Sequence, residues 1–121
     1  GHYSLFPLFL TLGIEKPAIS AEAYATTTCT LRDNVAVGVK NEAAFPLSCM
    51  IRFQFEAQNE LPPFELYWYD GGMKPQTPEE IRRENLELPA EGMMLVGDKG
   101  KILCDFRGEN PKYEKWLTYV K

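Results

Sequence analysis

Residues that could perform acid–base or nucleophilic chemistry are few in this sequence, and they do not form a recognisable catalytic set. His2 is the only histidine. A serine or cysteine nucleophile needs a neighbouring base, so a Ser–His–Asp or Cys–His arrangement would have to recruit this one residue. Glu79 and Glu80 are adjacent, and on a helix adjacent side chains diverge instead of pairing as an acid and a base. The sequence therefore does not favour a nucleophilic hydrolase.

The cysteines and glycines lack the spacing of a zinc site or a phosphate-binding loop. Cys29, Cys49 and Cys104 contain no C-x-x-C pair, and with a single histidine they do not predict a metal site. We expect Cys29 and Cys104, which fall in strand patterns, to act as small buried apolar side chains. The glycines of residues 92–100 do not form a G-x-G-x-x-G motif after a strand. No metal or cofactor is therefore expected on this chain itself.

Length and composition indicate one globular domain. The chain has 121 residues, of which 45% are hydrophobic and 25% are charged, and its formal net charge is −4. Nucleic-acid backbones require clustered cations, and glutamates flank the densest basic pair, Arg82-Arg83, so no nucleic-acid partner is expected. No apolar run approaches the roughly 18 residues that span a bilayer, so no membrane partner is expected either.

The second half of the chain has the densest apolar segments and the clearest turns. Residues 64–69 predict an aromatic strand that stops at Asp70-Gly71-Gly72, where at least one glycine is expected to have a positive φ. Residues 93–96 and 101–106 predict a hairpin. Between them, Thr77 as an N-cap, followed by a proline and two glutamates, predicts a helix of about two turns.

The first half of the chain predicts one helix and then a series of strands. Residues 2–12 are apolar on most sides, so they predict a buried helix that begins near Ser4. Residues 18–31 alternate between polar and apolar over about thirteen positions, which predicts one long strand, and residues 35–39 and 48–57 alternate in the same way. The predicted fold is α+β, with an open, mostly antiparallel β-sheet of six strands and helices on one face.

The alternation gives the predicted sheet two unlike faces. One face carries small aliphatic side chains and phenylalanines, which suit covering helices. The other is polar but holds Tyr24, Tyr67 and Tyr69, provided that the strand registers agree. Such a face is either solvated or an interface. Tyrosine and arginine are enriched where proteins meet, so we take Arg52, Tyr67 and Tyr69 as the candidate centre of a homo-oligomer interface.

Two motifs in the second half resemble a known protein family. WYDGG-x-KP, then a proline-broken acidic linker and G-x-x-x-VGDKGK-x-x-C, is similar to the C-terminal domain of bacterial Gfo/Idh/MocA-type oxidoreductases. In that family a Rossmann domain binds the nicotinamide cofactor and an α+β domain follows it. The resemblance is most specific over residues 67–101. It implies that residues 1–121 are a single C-terminal domain of a longer protein, whose N-terminal Rossmann domain is absent from this chain.

The resemblance also implies candidate catalytic residues. The family has a D-x-G-x-H motif that leads into a helix, and its aspartate and histidine lie by the cofactor and substrate. Gly1 matches the glycine of that motif, the histidine position falls on Tyr3, and His2 lies one residue earlier. His2 and Tyr3 are therefore the candidates for proton transfer. The alternative for Tyr3 is packing within the helix.

On this resemblance, the expected function is that of a substrate-binding and oligomerisation domain of an NAD(P)-dependent oxidoreductase acting on a sugar or polyol. The chain alone is expected to be inactive, because NAD or NADP would bind the missing Rossmann domain. Its expected partners are that domain and other copies of itself, through the open sheet face. The alternatives are a free-standing interaction or dimerisation module and a domain of an NAD-dependent glycosidase. The substrate, the choice between NAD and NADP, and the compartment (bacterial cytoplasm or periplasm) stay open.

Overall fold

The computed structural model describes residues 1–40, 42–43, 45–107 and 109. Its paired strands are antiparallel and its helices few, which confirms the predicted mixture of α and mostly antiparallel β structure. The chain forms two compact units, one of Gly1–Glu15 with the chain from Gln76 onward and the other of Lys16–Pro75. The elements in chain order are α1 (His2–Leu12), β1 (Ser20–Thr26), β2 (Cys29–Arg32), β3 (Val35–Gly38), β4 (Ser48–Phe55), β5 (Phe64–Asp70), α2 (Glu79–Arg83), β6 (Met93–Val96) and β7 (Lys101–Cys104).

The described strands form three separate sheets, where the alternation predicted one. One sheet has three strands in the order β1-β4-β5, and β2–β3 and β6–β7 are hairpins. The single strand predicted over residues 18–31 is wrong, because its pairing partner changes along its length. The β1–β4 ladder ends with Thr26 opposite Ser48. From Thr28 onward the chain pairs instead with β3 and with Val39, the residue after it. The first bond of this pairing runs from the Val39 N–H to the Thr28 carbonyl at 2.7 Å.

The register of the three-stranded sheet confirms that the predicted interface residues share a face. Arg52 on β4 lies opposite Glu22 on β1 and Tyr67 on β5. Because side chains alternate along a strand, every second pair in the two ladders points to the same side. We call this side the tyrosine face; it consists of Ser20, Glu22, Tyr24, Thr26, Ser48, Met50, Arg52, Gln54, Glu65, Tyr67 and Tyr69.

The β2–β3 hairpin follows β1 in the chain after two residues. Its turn residues Asp33 and Asn34 have positive φ values of 49° and 63°. Two positive φ values in a two-residue loop match the twist of the flanking strands, and Asp and Asn tolerate this conformation better than most residues. All residues of both strands are exposed.

The helix α1 departs from the prediction in its start and in its burial. It begins at His2 with Gly1 as N-cap, not near Ser4. It ends before Gly13, which terminates the helix in the left-handed conformation at φ 65°. The expectation of a buried helix is wrong: no residue of α1 is buried, and Phe6 is 61% exposed. A helix that is apolar nearly all round cannot bury every side in so small a unit. Among the described residues, no helix has the length and apolarity required to cross a membrane.

The helix α2 is shorter than the two turns predicted. Thr77 is not its N-cap; that position is occupied by the following proline, which makes no side-chain cap bond. Asn85 adopts a φ of 56°, which ends the helix. On α2, Ile81 joins Leu88 in a buried cluster, and Leu103 of β7 packs against both.

Two glycine-bearing turns form as the sequence predicted. β5 is followed by Gly71 and Gly72 with φ values of 70° and 87°, so both glycines have the positive φ that was expected of at least one. The Gly71 N–H donates to the Asp70 carboxylate at 2.7 Å. The predicted β6–β7 hairpin is also confirmed, and the Gly97 N–H closes its turn with a bond to the Gly100 carbonyl at 2.9 Å.

Candidate protein interface

An ion-pair network around Arg52 lies at the centre of the tyrosine face. The Arg52 Nη2 is 2.6 Å from Glu65 Oε1, and Nε donates to the same oxygen at 3.1 Å. On the other side, Nη1 lies 3.3 Å from Glu22 Oε2. Side chains on facing positions of neighbouring strands are within reach of one another. An arginine on the central strand is therefore paired with carboxylates from both outer strands.

Further hydrogen bonds extend this network across the whole sheet. The Tyr67 hydroxyl donates to Glu65 Oε2 at 2.6 Å, and the Gln54 amide donates to Glu65 Oε1 at 3.4 Å. The Ser20 hydroxyl donates to the side-chain Oε1 of Gln54 at 2.7 Å. The contacts run from β1 through β4 to β5. Side chains connected in this way restrain one another, so the polar part of the face is held in one arrangement.

These contacts also fix the charge state of the face. The hydrogen bond from Tyr67, followed by those from Arg52 and Gln54, lowers the pKa of Glu65 to about 2. The same Tyr67–Glu65 bond raises the pKa of the Tyr67 phenol, and the bond to Glu65 raises the pKa of Arg52. At neutral pH the face therefore presents a carboxylate, a guanidinium and a neutral phenol that are already bonded to one another.

The tyrosine rings of this face are positioned and accessible. Tyr67 and Tyr69 stack with their ring centroids 6.3 Å apart and their planes 19° apart. Tyr67 is 45% exposed and Tyr24 is 58% exposed. A ring that is already held in place loses little conformational freedom when a partner covers it, so such rings contribute strongly to binding. The face has the composition and the order of an interaction surface.

The Glu65 carboxylate is expected to titrate near pH 2. Because its pKa is lowered, the stabilisation that it gives is present above its ordinary pKa of 4.5 and is lost as the pH falls from there through about 2. An NMR titration of the side-chain carboxyl shifts measures this midpoint. In the Tyr67→Phe variant the largest cause of the shift is removed, so the midpoint should rise. A parent midpoint above about 4 would mean that the network does not form in solution.

The two candidate catalytic residues, His2 and Tyr3, lie in the first turn of α1. Their rings stack with centroids 4.7 Å apart, and the Arg107 guanidinium carbon lies 5.9 Å from the centre of the Tyr3 ring. Stacking and cation–π contacts hold a ring in place but move no proton. These contacts favour the packing role for Tyr3, and catalysis by either residue stays a prediction. Both belong to a different unit from the tyrosine face.

A second ion pair joins α2 to the β6–β7 hairpin. Lys101 Nζ lies 3.0 Å from both carboxylate oxygens of Glu80. The pKa of Glu80 is lowered, first by a hydrogen bond to its own backbone N–H and then by Lys101. Both side chains are about a quarter to a third exposed and lie beside the apolar Ile81 and Leu103. We assign this pair to the packing of the unit and not to a reaction.

The cysteines divide between a buried and an exposed position. Cys104 is buried at 8% exposure, as expected, and burial raises the pKa of its thiol. Cys29 is exposed, so its expected burial is wrong; its strand belongs to a two-stranded hairpin that is exposed on both sides. In the described parts of the chain, no three His, Cys, Asp or Glu side chains are grouped closely enough to hold a metal ion.

The glycines of residues 92–100 do not fit the pyrophosphate of a dinucleotide. Gly92 precedes β6, and Gly97 and Gly100 lie in the turn of the β6–β7 hairpin. A dinucleotide loop instead places its glycines between a strand and the N-terminus of a helix, where backbone N–H groups face the phosphates. In this segment the chain passes from strand to strand.

Sequence reasoning identified Arg52 and the tyrosines but missed the partners that organise them. Glu22 and Gln54 fall on the tyrosine face by alternation, but alternation does not indicate that Glu22 pairs with Arg52 or that Gln54 bonds to Glu65. Glu65 was missed as the acceptor of three side chains. A long-range sign was present, because the apolar positions of β4 and β5 can be matched only in registers that also align their polar positions.

No protein-family model, curated protein sequence or solved structure matches this chain. The resemblance to the Gfo/Idh/MocA C-terminal domain therefore depends on the motifs within residues 67–101. The tyrosine face is the structural feature from which a function can be argued.

Proposed function

We propose that this chain is an oligomerisation domain that self-associates through its tyrosine face. On the motif resemblance, we further propose that it is the C-terminal, substrate-binding and oligomerisation domain of an NAD(P)-dependent oxidoreductase of the Gfo/Idh/MocA type, acting on a sugar or polyol. The first part is argued from the surface and the second from the sequence motifs, so each has its own test.

The observation that carries the first part is the register that gathers Arg52, Tyr67 and Tyr69 on one exposed face. Tyr and Arg are the side chains that most often dominate binding energies at interfaces. Arg52 is already paired with two carboxylates, so covering it does not leave an unpaired buried charge, which would be strongly unfavourable. The face carries two carboxylates and one guanidinium, so a second copy can cover Arg52 and Glu65 if the more exposed Glu22 stays at the solvated rim of the contact.

The tyrosine face is not uniformly polar. Most of its side chains are Ser, Thr, Glu, Gln or Arg, but it also stacks two tyrosines and places Met50 opposite Tyr69 on the neighbouring strand. Methionine adapts its shape to a partner surface and is frequent at binding sites. These features support the interface over the solvated alternative.

Light scattering coupled to gel filtration tests the proposed association. The chain is expected to elute as a dimer, or a larger oligomer, at micromolar concentration. A chain that stays monomeric at about 100 µM would overturn the proposal, because a specific self-association is expected to have a dissociation constant below that concentration.

A calorimetric titration with NAD(H) and NADP(H) separates the domain proposal from an enzyme that is complete in this chain. We expect no measurable binding, because the glycines of residues 92–100 lie in a hairpin and the cofactor would bind a separate Rossmann domain. Micromolar affinity for either cofactor would contradict this. A dimer that binds no cofactor fits equally a free-standing dimerisation module, and the reading frame preceding residue 1 distinguishes the two by the presence of a Rossmann fingerprint.

A further inference from the structure

The tyrosine face alone is too small for a stable dimer. Three strands about 4.8 Å apart, with seven residues of about 3.3 Å each, cover a plane of roughly 14 Å by 23 Å, or about 320 Å². Even if projecting side chains double this value, it falls short of the roughly 800 Å² that each partner buries in a standard interface. The six-stranded sheet predicted from the sequence would have been large enough, but the three-stranded sheet is not. A second contact surface is therefore required.

The β2–β3 hairpin has the apolar surface that the sheet lacks. Val35 and Val37 share one side of the hairpin, where they are 62% and 39% exposed, and Leu31 lies on the other side at 72% exposure. A two-stranded hairpin is marginally stable by itself in water, and it needs a hydrophobic face packed against something else. This hairpin is exposed on both sides. A surface that covered one side would stabilise the two strands and would bury apolar side chains that are now in contact with water.

The hairpin is joined to the sheet in a way that makes one continuous contact possible. β2 follows β1 after two residues. At the base of the hairpin the Val39 N–H donates to the Thr28 carbonyl at 2.7 Å, and at the end of the β1–β4 ladder the Leu47 N–H donates to the Thr26 carbonyl at 3.1 Å. The hairpin therefore leaves the edge strand of the sheet as an arm. The arm begins two residues after Thr26, which belongs to the tyrosine face, so a partner that covers this face lies next to the base of the arm.

We propose that the β2–β3 hairpin of each copy contacts a second copy of the chain and completes the interface centred on the tyrosine face. This inference rests on the proposed self-association. The charges suit a twofold contact: Arg32 and Asp33 at the tip have opposite signs, and Lys40 and Glu42 at the base form an ion pair at 2.6 Å. An arm without net charge does not repel its own copy, and the two tips can pair Arg32 with the opposite aspartate.

The test combines a hairpin variant with hydrogen exchange of the parent. The Val35→Thr/Val37→Thr double variant keeps strand-forming residues but loses apolar area on one side of the hairpin, so the dimer dissociation constant is expected to rise at least about tenfold. The matched control is Val96→Thr/Ile102→Thr, which changes two exposed residues of the β6–β7 hairpin and should leave dimerisation unchanged. In the parent, amide exchange within residues 29–38 should slow as the concentration rises from mostly monomer to mostly dimer.

The outcomes separate this inference from the proposed function. A dimer whose affinity is unchanged in the hairpin variant, with exchange of residues 29–38 independent of concentration, overturns the inference, and the tyrosine-face dimer then needs a different second contact surface. Equal protection in monomer and dimer also overturns it, because the hairpin is then covered by its own chain. A parent that is monomeric at about 100 µM overturns both proposals. Should the variant fail to fold, the exchange of the parent decides alone.

Discussion

Replacing Tyr67 by alanine and Tyr69 by glutamate is expected to convert the associated chain to monomer without unfolding it. Truncating a hot-spot residue at the centre of an interface costs about 2 kcal/mol or more of binding free energy, which raises the dissociation constant about 30-fold or more. The glutamate adds a charge to a contact that must be desolvated, and the face already carries one more carboxylate than guanidinium, so association weakens further. Light scattering over a dilution series measures the change, and circular dichroism checks the fold.

Two single-site variants serve as controls for this experiment. Tyr3→Ala removes another exposed tyrosine, in the other unit, and should leave the dissociation constant unchanged. Tyr67→Phe keeps the ring but loses the bond to Glu65, so we expect a smaller effect than from the double variant. If the double variant associates as tightly as the parent, the tyrosine face is not the contact surface.

Gly71→Ala is expected to destabilise the fold by about 2–4 kcal/mol, whereas Gly72→Ala is expected to cost about 1 kcal/mol. Both glycines have positive φ, at 70° and 87°, so both substitutions force an alanine into a disfavoured backbone conformation. Only at Gly71 would the added Cβ also overlap the chain, because it would meet the Leu47 carbonyl oxygen and lie 2.5 Å from Ser48 Cα. At Gly72 nothing lies within 4 Å.

Urea unfolding of the two variants beside the parent measures this difference. The two changes are chemically identical and adjacent, so their effects on the unfolded chain are matched, and the contrast reports the close approach of the turn to β4. Equal free energies of unfolding for the two variants would mean that Leu47 and Ser48 do not lie against Gly71 in solution.

The parts of the fold that could be predicted are those specified within a few residues. The aromatic strand β5 and its stop at Asp70-Gly71-Gly72 follow from strand propensity and from the freedom of glycine to adopt positive φ. The β6–β7 hairpin follows from its glycine-bearing turn. The common face of Arg52, Tyr67 and Tyr69 follows from a side-chain period of two, once the register is granted.

The parts that could not be predicted depend on contacts between distant residues. Alternation continues unbroken through residues 18–31. It indicates which side of a strand each side chain faces and not which strand it pairs with, so the switch from β4 to β3 cannot be seen in it. The prediction that α1 is buried was wrong for a similar reason. Apolar side chains show that a helix can pack against an apolar surface, but they do not show whether the fold supplies one. Cys29 was misplaced together with its strand.

The candidate site shows the same limit. Arg52 is separated by 30 residues from Glu22 and by 13 from Glu65, and only the strand order β1-β4-β5 brings the three together. The lowered pKa of Glu65 follows from that geometry. Sequence reasoning could therefore identify which residue types the face contains, but not that they form one bonded network.

The most direct measurement of the central claim is an isotope-filtered NMR experiment on a mixture of labelled and unlabelled chain. The cross-peaks selected in this way connect protons of different copies only. We predict intermolecular contacts between the Tyr67 and Tyr69 ring protons of one copy and side chains of the tyrosine face of the other. An associated chain whose intermolecular contacts all lie elsewhere, with none to Tyr67 or Tyr69, would contradict the claim that this face holds the copies together.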